Sequence, residues 1–297
     1  QKFKNFFDKG PGRVSPFLVP MFIPDMAAGQ VSIRYGAKGP NFNTVSACAS
    51  GADSIGTAAE VIRRGDAVAM IAGGAEGAVT RMSITAFANS RALSRNDDPS
   101  IASRPFDQER DGFVLGEGSG ILILEDQEHA ERRGADIICE YRGYGQSADA
   151  YHITQPSEQG EGAARAMNIA LTKAEIEPSD VDYINAHGTS TPLNDKFETL
   201  SIKSVFGEQA YSVPISSTKS MVGHTLGAAG GIEAVVTALS IKDDIVHPTI
   251  NLNSPDLDCD LDYVPNKARV TSVNVAMTNS LGFGGHNSSL VFSKYRG

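Results

Sequence analysis

Long apolar runs are missing from this 297-residue sequence. No window approaches the roughly 18 consecutive apolar residues of a membrane span, and no basic-then-apolar leader opens the chain. Basic residues are in deficit, with 26 Lys and Arg against 35 Asp and Glu and a formal net charge of −9. That balance argues against nucleic acid as a partner, which wants clustered Lys and Arg, but it leaves room for a local basic patch facing an acidic protein. Cysteine is scarce. Cys48, Cys139 and Cys259 contain no CxxC pair and so make neither a disulfide framework nor a zinc site. Such usage points to a reducing compartment and leaves each cysteine a candidate nucleophile. Phosphate-loop signatures are absent too. Gly73-Gly74 and the stretch Gly227–Gly231 fit neither GxxxxGK[ST] nor GxGxxG, and helix packing explains them better.

The composition is that of an ordinary globular chain, 41% hydrophobic, long enough for one large α/β domain or two smaller ones. Short β-branched runs, Gly-rich turns and amphipathic segments follow one another in the α/β manner. In the second half the pattern predicts strands near Ile137–Gly145, Val181–Ala186, Val213–Ser217, Val273–Asn279 and Ser288–Phe292. Helices are predicted near Glu161–Ala174, Leu193–Phe206 and Ala228–Lys242. The first half repeats the end of this series: a strand Asn43–Ala47, a helix Gly51–Arg64, a strand Val68–Ala72, and a closing pair Gly112–Leu115 and Gly120–Glu125. Val213 to Phe292 spans 80 positions and Asn43 to Leu124 spans 82. A duplicated fold on this pattern lacks its opening βαβα, because the residues before Asn43 show no such series. The expected division is 1–134 for the first half and 135–297 for the second.

Cys48 sits in Val45-Ser46-Ala47-Cys48-Ala49-Ser50-Gly51, where a predicted strand ends and a helix of small residues begins. Unpaired N–H groups and the positive dipole end there lower a thiol pKa, and small neighbours admit a bulky thioester. A lone cysteine is more commonly inert and buried, which is the reading for Cys139 and Cys259. His187 and His224 are each flanked by Gly and hydroxyl residues at predicted strand ends, where open α/β sheets place ligands. With a cysteine at a third such end they read as a site, and no close ligand spacing suggests a metal. His129, His152, His247 and His286 lack such company and read as structural or surface residues. The loop Gly282-Phe283-Gly284-Gly285 could present a backbone N–H to a developing oxyanion, or be a plain hairpin.

At these residues the sequence resembles the β-ketoacyl–acyl-carrier-protein synthases, closest to the type II condensing enzymes of bacterial fatty-acid synthesis. The runs that carry the likeness are Thr44–Gly51, Ser103–Gly118, Asn185–Pro192, Ser216–His224 and Asn279–Gly285. The resemblance implies a thiolase-like α/β fold, two duplicated halves stacked as five α-β-α-β-α layers, with the first half incomplete by about the family's opening quarter. It implies a homodimer in the cytoplasm, with acyl and malonyl thioesters delivered on the phosphopantetheine of acyl carrier protein and no further cofactor. Cys48 would take the acyl chain as a thioester. His187 and His224 would stabilise the enolate formed as malonyl loses CO2. The N–H groups of Cys48 and Phe283 would form an oxyanion hole, one donor being worth about 2.7–4 kcal/mol. Lys219 would tune the histidines, paired with Glu198 and with Asp195 nearby. Thr189 and Thr191 would bind the pantetheine arm, Phe283 would also gate malonyl access, Phe87 would line the acyl path, and Arg91 would touch the carrier. His286 departs from the family, which usually has Thr after this turn.

Four other readings stand beside this one. A polyketide ketosynthase shares the Cys-His-His set, and a non-catalytic piece could keep only carrier-protein or partner binding. Thiolase is disfavoured because the Gly-rich C-terminal loop lacks a second catalytic cysteine. The chain-initiating synthase is disfavoured because it has Asn where His224 stands.

Overall fold

Gly143 and Gly145 alternate with Tyr144 and Gln146 along one strand, and this period of two sorts the layers of the molecule. A Cβ on either glycine would lie within 2.3 Å of a carbonyl oxygen of the helix behind it, so that helix packs backbone to backbone on their face. Tyr144 points the other way, toward the nucleophile-bearing helix. The computed structural model describes residues 2–297, with side chains from Lys4 onward.

The chain divides into two compact units, 1–43 and 44–297. The first holds α1 (Lys2–Lys9) and α2 (Met26–Tyr35), joined by single helical turns, and none of its described side chains is buried. Within the second unit follow α3 (Ser50–Arg63), β1 (Ala69–Glu76), α4 (Arg81–Asn89), β2 (Gly118–Glu125), α5 (Gln127–Arg132), β3 (Glu140–Ala148), α6 (Glu161–Ala174), β4 (Tyr183–Asn185) and α7 (Pro192–Phe206). The series closes with β5 (Ile215–Ser216), α8 (Lys219–Val222), α9 (Ala229–Asp243), β6 (Ile245–Val246), β7 (Arg269–Val270), β8 (Val275–Gly282) and β9 (His286–Ser293).

The main sheet runs β3-β9-β8-β4-β5, with β4 parallel to both neighbours and the β8–β9 hairpin antiparallel. Helix α6 covers one face and packs on α7. Helices α3 and α9 cover the other and are followed by the antiparallel pair β1–β2. The layer order α-β-α-β is that of a thiolase-like α/β fold. The internal repeat is visible in it: α3-β1-β2 corresponds to α9-β8-β9, and among the described residues two strands stand where the second half has five. Ile71, Ile121 and Ile123 lie exposed on that two-stranded sheet.

Glycine allows the central layer to close. A Cβ on Gly51 would come within 2.5 Å of Gly231 N, and one on Gly230 within 2.5 Å of Ala52 N, so α3 and α9 meet at van der Waals contact of their main chains. This is the packing role expected for the Gly227–Gly231 stretch.

Two predicted strands do not form. Asn43–Ser46 pairs with no strand among the described residues, and Ala47–Ala49 is a single 3-10 turn, so the segment has no ladder to complete. Gly112–Leu115 is instead threaded between two loops. Phe113 N–H donates to Ala92 O at 3.0 Å, and His224 N–H donates to Val114 O at 2.7 Å. The segment thereby belongs to the site rather than to a sheet.

Candidate active site

Cys48 lies in the 3-10 turn at the head of α3, preceded by Ala47 in the left-handed region at φ +51°. A residue with a Cβ is strained there, and the strain bends the chain sharply enough to aim the next side chain off the helix end. The hydroxyl of Ser50 ties the bend, accepting from Ser46 N–H at 2.9 Å and donating to Ala47 O at 2.7 Å. The sulfur is almost enclosed, Cys48 being 8% exposed.

His224 follows α8 rather than a strand end. Gly223, at φ +71°, makes the turn that delivers it, and a Cβ there would lie 2.8 Å from Val114 O. His224 Nε2 stands 3.2 Å from Cys48 Sγ. Its Nδ1 accepts from Leu226 N–H at 3.3 Å, so the ring proton is assigned to Nε2. His187 follows β4. Its Nδ1 contacts Lys219 Nζ at 3.2 Å, and an ammonium can only donate, so here too the proton is assigned to Nε2. The two rings lie 5.3 Å apart and near perpendicular. Burial, reinforced by the charge of Lys219, holds both imidazoles well below their ordinary pKa. They rest as neutral N–H donors.

Two expectations need correcting. The partner of buried Lys219 is Glu233 on α9, not Glu198. Glu198 reaches forward from α7 to accept His187 N–H at 2.7 Å and Gly188 N–H at 2.8 Å, fixing the loop that carries His187. A carboxylate saturated by two backbone donors in this position leaves the lysine to the acid on the neighbouring helix. Burial pushes both acids up to about 7. The second correction concerns the thiol, expected to be acidic. Burial dominates and pushes Cys48 up to about 11, although Lys219 and the backbone N–H groups of Phe283 and of Cys48 itself act in the opposite direction.

The Phe283 and Cys48 N–H groups thus both act beside the sulfur, where they could serve an oxyanion developing on a Cys48-bound acyl group. Gly282 makes it possible, since a Cβ there would lie 2.6 Å from Ser46 O and 3.2 Å from Cys48 N. Phe283 is 42% exposed at the mouth. Its loop is strapped from outside: Gly284 N–H donates to Ile153 O at 2.8 Å and Asp149 N–H donates to Gly285 O at 2.9 Å. The ring of His286 lies under Gly284.

Thr189 and Thr191 share a hydroxyl contact of 2.9 Å, and Asp195 holds their loop by accepting Thr189 N–H at 3.0 Å and Phe106 N–H at 2.9 Å. Phe87 is half-buried on α4 and reaches the site indirectly. Its ring meets Phe113 edge-on at 5.4 Å, and Phe113 meets His224 at 5.2 Å. Arg91 is exposed at the end of α4, apart from this cluster. Phe113 and Glu233 are the functional positions that sequence reasoning missed. Glu233 had a signal, a single acid inside an otherwise apolar helix, which needs a buried cation.

A cysteine at a helix tip facing two neutral imidazoles, on a thiolase-like fold, defines a condensing-enzyme site. The chain belongs to the β-ketoacyl synthase family: its residues 2–130 match the family's N-terminal domain and 138–253 its C-terminal domain. It is 60% identical over 292 residues to 3-oxoacyl-[acyl-carrier-protein] synthase 2 of Staphylococcus aureus (strain COL), covering 98% of this chain and 70% of that protein. It is 58% identical to the same-named protein of Synechocystis sp., covering 97% and 70%. Among solved structures, a ketosynthase in complex with its type II polyketide acyl-carrier protein superposes with a TM-score of 0.95 at 42% identity, covering 99% of this chain and 74% of that one. A β-ketoacyl synthase from Burkholderia phymatum STM815 gives 0.93 at 41%, covering 99% and 72%.

Proposed function

We propose that this chain catalyses decarboxylative Claisen condensation of malonyl-carrier with a Cys48-bound acyl chain, the elongation step of fatty-acid synthesis. The reading is carried by one observation: Cys48 Sγ stands 3.2 Å from His224 Nε2, with the His187 ring beyond it. In this reading residues 1–134 supply the nucleophile and 135–297 the histidines. Higher identity to the 3-oxoacyl-carrier synthases than to the polyketide ketosynthase favours the fatty-acid reading over the polyketide one.

The reaction has two stages. Cys48 sulfur attacks the acyl thioester, and the proton it gives up ends on the departing pantetheine thiol. The tetrahedral oxyanion sits between the N–H groups of Cys48 and Phe283. Malonyl-carrier then places its thioester carbonyl against His187 Nε2–H and His224 Nε2–H. Loss of CO2 leaves an enolate held by these neutral donors, which cannot quench it as imidazolium would. The enolate carbon attacks acyl-Cys48, and collapse expels the sulfur, which regains a proton. No metal or redox cofactor is used, and the substrates arrive on the phosphopantetheine of an acyl carrier protein. Thr189 and Thr191 receive that arm, Phe87 and Phe113 line the acyl path, and Arg91 meets the carrier. A cytoplasmic homodimer completes the reading.

The test is malonyl-carrier turnover by the purified chain, following labelled CO2 and β-ketoacyl product, with Cys48→Ala as control. Cys48-dependent product supports the proposal. A cooperatively folded chain that yields none, yet still binds carrier, is a non-catalytic binding piece.

A further inference from the structure

The mechanism leaves one deeply buried acid near the nucleophile without a role. Asp53, 1% exposed in the first turn of α3, forms no ion pair among the described residues. Three neutral groups donate to it instead. Ser46 Oγ donates to Oδ2, Gln146 Nε2 donates to Oδ2 at 3.1 Å, and Tyr144 OH donates to Oδ1 at 2.8 Å. A carboxylate buried without a cation is costly unless saturated by such donors.

The donors come from two sides. Ser46 stands two residues before Cys48, ahead of the left-handed Ala47 that bends the chain. Tyr144 and Gln146 project from β3, and β3 is paired along its length with β9, which follows the Phe283 turn. The carboxylate therefore ties the segment before the nucleophile to the sheet that carries the oxyanion-hole loop. The Tyr144 ring is fixed against α3, where a Cβ on Gly56 would lie 2.4 Å from its Cγ.

We propose that Asp53 is a positioning residue: with Ser46 and Tyr144 it clamps the bend before Cys48, and so sets where the sulfur lies relative to His224 and to the Phe283 N–H. This rests on Cys48 being the reactive nucleophile. Nothing in the clamp touches substrate, so its effect is on the placement of sulfur.

The experiment is iodoacetamide labelling of the full chain at fixed pH, resolving Cys48, Cys139 and Cys259 by peptide mass, alongside thermal unfolding. Ser46→Ala and Tyr144→Phe each remove one donor and open little space. Each should slow Cys48 alkylation by about tenfold or more, the rate equivalent of losing one hydrogen bond to a charged group. Cys139 labelling should stay unchanged. Asp53→Leu should slow it further, and Asp53→Asn should restore most of the rate, because both hydroxyls can donate to or accept from an amide. Unchanged or faster Cys48 labelling in Ser46→Ala and Tyr144→Phe overturns the clamp. Parallel acceleration at Cys139 with a lowered Tm also overturns it, since that is what a merely structural tie produces. Should Cys48 fail to outrun Cys139 and Cys259 in the unaltered chain, the nucleophile reading itself fails, and that result is distinct from the other two.

Discussion

Glu233→Gln tests the assignment of Lys219's partner in the buried ion pair beside the histidines. Lys219 is 2% exposed and Glu233 1%, so the substitution leaves an ammonium enclosed without its counter-charge. Breaking a buried pair from one side costs about 3–5 kcal/mol. Lys219 Nζ then keeps His187 Nδ1, 3.2 Å away, as its remaining side-chain partner. The ammonium and the ring it holds should shift together, so that His187 Nε2–H no longer meets the malonyl carbonyl squarely. Malonyl decarboxylation thereby loses one of two enolate donors, worth about 2.7–4 kcal/mol or roughly 10²–10³ in rate. Cys48 alkylation should hold or quicken, because Glu233, which pushes the thiol up, loses its charge while Lys219, which pushes it down, keeps its own. The assay compares labelled-CO2 release from malonyl-carrier with iodoacetamide labelling of Cys48 in the same preparation. Decarboxylation that stays within threefold of the parent (under about 0.7 kcal/mol) in a folded Glu233→Gln protein would refute the reasoning. So would a proportional loss of both activities.

Three further outcomes are expected. Because burial holds the Cys48 thiol up near about 11, its alkylation rate should climb about tenfold per pH unit from 7 to 10; a plateau below pH 8 contradicts this. Phe113→Leu removes the ring that buttresses His224 at 5.2 Å and Phe87 at 5.4 Å, and should slow condensation by about threefold to tenfold, measured as kcat, with little change in Tm. Gly231→Ala would bring a methyl within 2.4 Å of Gly120 O and 2.6 Å of Gly74 N; backbone lies on both sides, so denaturant titration should show about 3 kcal/mol or more of lost stability.

Where the sequence was legible, local chemistry and tertiary context agreed. The helices at Ser50–Arg63, Glu161–Ala174 and Ala229–Asp243 fall within a residue of expectation, the first two because each has an apolar face and the third because it is a long run of small and apolar residues. The strand expected at Asn43–Ala47 has the right residues but no partner, and pairing is a property of neighbours that a local window does not contain. Gly112–Leu115 has the apolar run of a short strand, yet its hydrogen bonds go to Ala92, Ser190 and His224, contacts set by loops far away in sequence. Lys219 could be placed at the site from its motif, but its partner could not. Glu198 and Glu233 are both buried acids, on helices from opposite faces of the main sheet, and only the backbone donors of His187 and Gly188 decide that Glu198 is already engaged.

The expected acidic thiol failed for a more general reason, and the same reason explains the histidines. A helix tip and two N–H groups favour thiolate, but each acts over a short distance, whereas removal from water penalises the whole charge. One enclosure therefore raises the thiol, raises both acids and lowers both imidazoles together. For acyl transfer this is a handicap, offset when the attacked carbonyl places its developing charge between the Cys48 and Phe283 N–H groups. For decarboxylation it is an advantage, because a dry neutral imidazole stabilises an enolate without protonating it. The cavity is thus better matched to its second step than to its first, and the charge of Lys219, which favours thiolate and disfavours imidazolium alike, is the group that serves both.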